Sequence, residues 1–279
     1  MGGRSLGVER PAPHRNEIAW TWRAGSVRKM VAPFSMPARL DGTLFVSESR
    51  LLYVGPLVAT RRHAHHAAQI LIAPEELEII DGESDRMHAR AAVIPPRLPH
   101  AHGACGHAAL LFLDGDDVAS RRLARGAQPH CESWRRDTFD VRVPRTPTPQ
   151  QARALVASIL SAIDLPLPAQ PRHPAARRMC ARLDGGEHVD LATLSLEVGL
   201  SPRQMRHAFA RDVGLTMRAY LRWKRLRRAV AAVEQGATLS AAAAEAGFAD
   251  SAHLSRVFRE QFGMKPTQGL SALTWRTLD

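Results

Sequence analysis

Seven of the 13 histidines fall between His63 and His107: His63, His65, His66, His88, His100, His102 and His107. The run His63-Ala64-His65-His66-Ala67-Ala68-Gln69 leads straight into an apolar, β-like stretch. In an extended chain successive side chains alternate faces, so His63, His65 and Gln69 share one face. Pro95-Pro96-Arg97-Leu98-Pro99-His100 brings a further imidazole to the start of a later strand. Imidazoles gathered in this way can ligate a transition metal, hydrogen-bond a small molecule, or simply fill a core. Other catalytic patterns are missing: there is no GxSxG, GxxxxGK[ST] or HExxH. Asp114, Asp116 and Asp117 flank Gly115 and read as a solvated turn.

Short strands are needed to hold these histidines. Candidates are Leu44–Val46, Leu51–Val54, Gln69–Ile72, Leu77–Ile80, Ala91–Ile94 and Ala108–Leu113, separated by turns such as Asp81-Gly82. Many short strands at this spacing predict an antiparallel barrel or jelly roll. The Gly-, Pro- and Arg-rich residues 1–35 read as a loose arm. A Pro-rich break at 144–149 precedes an amphipathic helix over 150–163, and a second break runs from 165 to 174. Beyond it the pattern is helical, with no strand signal. The expected organisation is an α+β chain of two domains: an arm (1–35), a β sensor domain (36–145), a helical connector and possible dimerisation helix (146–171), and an all-α domain (172–279).

The all-α part repeats itself. Glu197-Val198-Gly199-Leu200-Ser201-Pro202 leads to Phe209 and Gly214, and Glu245-Ala246-Gly247-Phe248-Ala249-Asp250 leads to Phe258 and Gly263. Each copy (190–214 and 238–263) reads as a short helix, a glycine turn and a second helix, the form of a helix-turn-helix. Ser201, Pro202 and Gln204 make a capping-box start, and Asp190, Thr238 and Asp250 are further caps. A basic helix over 216–235 joins the copies. The outward positions of the two second helices are Ser201, Arg203, Gln204, Arg206 and His207 in the first, and Ser251, His253, Ser255, Arg256 and Arg259 in the second. These are the residues placed to touch DNA, with Arg203 and Arg256 the best donors to guanine edges. Lys224, Arg225 and Arg228 on the linking helix read as a solvated or phosphate-facing stripe.

The stretch Ala243-Ala244-Glu245-Ala246-Gly247-Phe248-Ala249-Asp250-Ser251-Ala252-His253-Leu254-Ser255-Arg256-Val257-Phe258, with Phe262-Gly263-Met264-Lys265-Pro266, resembles the second-motif signature of the AraC/XylS family of bacterial transcription regulators. Gly199-Leu200-Ser201-Pro202 through Phe209 and Gly214 is similar to the family's first motif. The resemblance implies two helix-turn-helix units in consecutive major grooves of double-stranded DNA, usually activating transcription with RNA polymerase as partner. Two departures stand out: His207 replaces a usual arginine, and Ala252 offers no hydrogen-bonding group. The histidine run and His100 resemble the cupin pattern HxHxxxE followed by a proline turn and a third histidine. That implies a cupin-like β-barrel that senses a small-molecule effector and helps form a homodimer. Three imidazoles and one oxygen would suit Zn, Ni, Cu or Fe(II). Here, however, Gln69 stands for the glutamate, and the expected glycine is replaced around Arg97. A metal site at His63, His65 and His100, a metal-free ligand pocket with Gln69, and plain core histidines remain open readings. A cupin metalloenzyme with a DNA-binding tail, or a constitutive regulator whose β domain only dimerises, are the alternatives to an effector-responsive regulator.

Charge agrees with a polyanionic partner. Over 279 residues the formal net charge is +11, and it is densest after Pro171. Cys105, Cys131 and Cys180 show no CxxC spacing, which points to a reducing cytoplasm rather than a disulfide framework. The N-terminus lacks an apolar signal core, and no run of about 18 apolar residues could span a membrane.

Overall fold

The computed structural model describes residues 38–115, 117–137, 139, 141–163, 173–185 and 190–278. The arm expected over 1–35, Asp116 and most of the second Pro-rich break lie outside the described residues. Residues from Ser35 onward form one compact unit.

Six strands come first: β1 (Thr43–Val46), β2 (Arg50–Leu57), β3 (Ala68–Asp81), β4 (Arg86–Ile94), β5 (His100–His102) and β6 (Cys105–Leu113). A seventh, β7 (Thr274–Thr277), comes from near the end of the sequence. Sheet order is β4-β3-β6-β2-β1-β7, with β5 paired to β3. Every pairing is antiparallel except β1 with β7, which is parallel. The sheet is open rather than a closed barrel, with β4 and β7 at its ends. β7 also corrects the expectation of a strand-free C-terminal part. The two runs expected at 69–72 and 77–80 are one strand, whose register slips between Ile72 and Leu77. Pro74 sits in that slip, where its missing N–H costs no ladder bond.

Period-two alternation divides the strands between two cores. Leu52, Val54, Ile70, Ile72 and Leu111 point to one face and meet α2 (Pro149–Ala162) through Ala152, Leu155, Val156 and Ile159. Leu51, Tyr53, Leu71 and Leu110 point to the other face, where Leu226, Val230, Leu254 and Phe258 cover them. Both faces are buried, so β2 is nearly continuously apolar. Helix α1 (Val118–Arg125) starts at Asp117, whose carboxylate accepts from Ala119 N.

The helical part contains α3 (Pro174–Asp184), α4 (Leu191–Val198), α5 (Pro202–Val213), α6 (Met217–Glu234), α7 (Leu239–Glu245), α8 (Ser251–Phe262) and α9 (Pro266–Gly269). Local chemistry sets its boundaries. Ser201 accepts from Gln204 N while Gln204 Oε1 accepts from Ser201 N, closing the capping box ahead of α5. Asp190, Thr238 and Asp250 cap α4, α7 and α8. Gly199 ends α4 at φ 68°, a left-handed conformation that favours glycine. Met179, Leu194, Met205, Phe209 and Tyr220 give the first helix-turn-helix a core of its own. The second unit has no separate core: its Leu254, Val257 and Phe258 belong to the core under the sheet. Among the described residues no helix is long and apolar enough to cross a membrane. All three cysteines are free thiols.

Candidate DNA interface and histidine pocket

Arg203, Gln204, Arg206 and His207 are exposed on the first turns of α5. Ser201 Oγ and Gln204 Oε1 each accept a backbone N–H in the capping box, which leaves the Ser201 hydroxyl and the Gln204 NH₂ as donors beside Arg203, Arg206 and His207. On α8, Arg256 and Arg259 are exposed, while Ser251, His253 and Ser255 are half-buried. The His253 ring lies edge-on to Phe248 at 5.2 Å and is partly committed to that packing. The two surfaces expected to read DNA are therefore exposed at their arginines, and that of α8 is half-buried at its smaller polar residues.

Of the stripe expected on the linking helix, Arg225 and Arg228 are exposed and Lys224 is not. Lys224 pairs with Asp184 at 3.2 Å and lies over the Tyr220 ring, so it is not a free phosphate contact. Arg222 pairs with Glu260 of α8. Arg227 turns inward, donating to Asp114 Oδ2 at 2.9 Å and to Ser47 O at 2.6 Å. Asp114 also accepts from Trp223 Nε1 at 2.6 Å. Asp114 is thus buried at a junction between the sheet and α6, and Asp117 is buried as the α1 cap and Arg50 partner. Neither is the solvated turn residue expected of it. Arg218, Arg225 and Arg228 keep exposed positions on α6.

Three of the histidines converge, although residues 64–67 are not the continuous strand expected of them and β3 begins only at Ala68. His63, His65 and His100 place ligating nitrogens within 4.8 Å of one another, all buried. Gln69 joins them, with its Oε1 position 2.7 Å from His65 Nε2 and 3.1 Å from His100 Nε2. Every Nδ1 faces a backbone carbonyl: Arg61 for His63, Ala67 for His65, Leu98 for His100 and Gly103 for His102. Burial holds all four rings neutral, with His63 pushed down to about 3 and the others lowered. A neutral ring that donates Nδ1–H to a carbonyl carries a bare Nε2 lone pair. His102, in the histidine cluster but outside the candidate set of His63, His65, Gln69 and His100, lies with His63 and Gln69 in the wall of one cavity. Its strand β5 is three residues long, too short to show a period.

A divalent ion at the three Nε2 atoms would meet the right element type but no negative charge. It would also have to displace the Gln69 amide from two rings. The donor set fits a hydrogen-bonded network better than a metal centre.

Two contacts join this pocket to the helices placed for DNA. Arg97 sits at φ 69°, keeping the left-handed backbone that the glycine it replaces would adopt. Its N–H donates to His65 O, and its guanidinium donates to Gly214 O at the end of α5. On the other side, Arg61 N donates to Gly263 O at the end of α8. Gly263 has φ 66°, and a Cβ there would collide with the Arg61 carbonyl and the His63 ring.

Residues 194–271 match the family described as a helix-turn-helix domain. That stretch is a helix-turn-helix domain of the AraC type, which supports DNA binding in the regulation of transcription. No curated protein matches the chain. Among solved structures, ToxT from Vibrio cholerae aligns over 79% of this chain and 97% of its own at 8% identity and a TM-score of 0.46. Wild-type ToxT bound to an unsaturated fatty acid aligns at 9% identity, TM-score 0.48, over 79% and 94% of the two chains. A probable AraC family transcriptional regulator from Rhodopseudomonas palustris is 29% identical over 37% of this chain and 100% of its own, with a TM-score of 0.33.

Proposed function

We propose that the protein is an effector-responsive transcription activator of the cytoplasm, working as a homodimer and recruiting RNA polymerase. Helices α5 and α8 enter neighbouring major-groove segments. Arg203, Arg206, His207, Arg256 and Arg259 supply the contacts, with Ser251 and Ser255 at the margin. Most such bonds go to phosphate, and the base-reading share falls to Arg203 and Arg256.

One observation carries the effector half of this reading. The ends of both groove-reading helices, Gly214 and Gly263, are hydrogen-bonded to the segments that bear the histidines. A ligand that shifts those segments changes how the two helices are held, and so biases the protein between two DNA affinities. The test is to map the genomic sites bound by the full-length protein, then titrate one such duplex with and without metabolites of the neighbouring genes. The expected result is preference for the mapped site over a scrambled duplex and a metabolite-dependent change in affinity. Sequence preference that no metabolite alters would leave a constitutive regulator; equal binding to every duplex would end the account.

A further inference from the structure

The cavity behind the histidines lies between the sheet and the second helix-turn-helix unit. Tyr53, Leu110 and Phe112 line it from the sheet, and Phe258 and Phe262 line it from α8. His63, Gln69 and His102 form its polar end, and no Lys or Arg lies among the residues lining it. Gln69 is 1% exposed, and the second terminal atom of its amide, at the Nε2 position, has no partner.

Hydrogen-bond polarity at this end follows from the four carbonyls. If the rings were protonated on Nε2 instead, four Nδ1 lone pairs would face four carbonyl oxygens. Turning one amide by half a revolution is far less costly. The Gln69 NH₂ then donates to both His65 Nε2 and His100 Nε2, and its oxygen takes the partnerless position. What remains toward the cavity is a set of acceptors: the Gln69 oxygen and the Nε2 lone pairs of His63 and His102. Acceptors in an apolar cavity need a donor, because an unmatched buried polar group is expensive. Without a cation in the wall, a carboxylate would be stranded.

We propose that this cavity binds an uncharged, mostly apolar alcohol or phenol whose hydroxyl donates to Gln69 and its neighbouring imidazoles. This rests on the effector reading above and names the ligand class for it. The ligand body would press on Phe258 and Phe262, so its first mechanical effect falls on α8, the helix whose core is shared with the sheet.

Calorimetric titration of the full-length, untagged, metal-free protein tests this. The probes are para-propylphenol, para-propylanisole and para-propylbenzoate, then octanol and octanoate, and separately Zn²⁺ and Ni²⁺ alone. The hydroxyl compounds should bind about tenfold or more tightly than the ether and the carboxylates, the ratio that one lost buried hydrogen bond produces. Gln69→Leu should remove that preference while keeping apolar binding; should it fail to fold, the selectivity of the unaltered protein decides. Carboxylate or ether binding as tight as the hydroxyl compounds overturns the proposal. So does no binding by any hydroxyl probe, or stoichiometric metal uptake that blocks them. The same probes are run against DNA affinity: hydroxyl-selective binding that leaves DNA affinity unchanged supports the ligand class and rejects the effector reading.

Discussion

Four buried imidazoles that carry no charge make the protein sensitive to acid in a particular direction. Their folded values lie below the unfolded value of 6.5, His63 at about 3, because burial penalises the charged form. Above pH 6.5 neither state binds these protons and their contribution to stability is complete. As pH falls, the unfolded chain takes up protons that the folded chain refuses. Stability is then lost from about pH 6.5 down toward the folded values, by at most about 1.4 kcal/mol per pH unit for each group. Urea unfolding midpoints should fall steadily between pH 7 and pH 5. A midpoint that stays level across that range would show that the rings are not buried neutral. The sequence brings His63, His65 and Gln69 near one another by their closeness along the chain, but not by the strand period expected, since residues 64–67 bend ahead of β3. The role of Asp114 is not visible there, because beside Gly115 it has the local chemistry of a turn. Only the distant Trp223 and Arg227 reveal it as a buried acceptor.

At the scale of elements, the two helices placed for DNA differ in what supports them. Helix α5 rests on a core within its own unit, whereas α8 rests on the sheet. Arg256 is exposed on α8. Arg256→Ala should cost about 1–3 kcal/mol on the cognate duplex and relax preference at one position. Arg228→Ala, on the exposed side of α6, should weaken all duplexes alike and reduce the salt dependence by about one charge. Fluorescence titrations of both variants on cognate and scrambled duplexes separate the two roles; equal losses from Arg256→Ala on both would remove it from base reading. Helix boundaries are legible in this region because each is decided by two to four neighbouring residues: Ser201 with Gln204, Asp250 with the His253 N–H, and Gly199 in its left-handed turn. Strand β5 was not, since pairing with β3 rather than a local period defines it; helix α1 has a local start in the Asp117 cap, which beside Gly115 reads instead as a turn.

For the molecule as a whole, Asp114 fixes the sheet to α6 through a buried ion pair and an indole donor. Arg227 and Asp114 are both largely shielded from water, so removing one partner strands the other. Asp114→Ala should destabilise the protein by about 3–5 kcal/mol. Replacing Arg227 and Asp114 together by apolar residues should recover part of that loss. Denaturant unfolding measures both. An Asp114→Ala protein as stable as the parent would mean that the sheet and α6 are held by apolar contact alone.

Strand β7 ties the last residues of the sequence into the first strand of the sheet. Cutting the chain ahead of α3 would strip β1 of β7, leaving it paired on one side to β2 with a bare hydrogen-bonding edge on the other, a ready template for self-association. It would equally deprive α8 of the aliphatic floor beneath it. The sheet and the helical part are therefore poor candidates for exchange between paralogues: grafting either onto a foreign mate should yield aggregates unless residues 274–277 travel with the sheet.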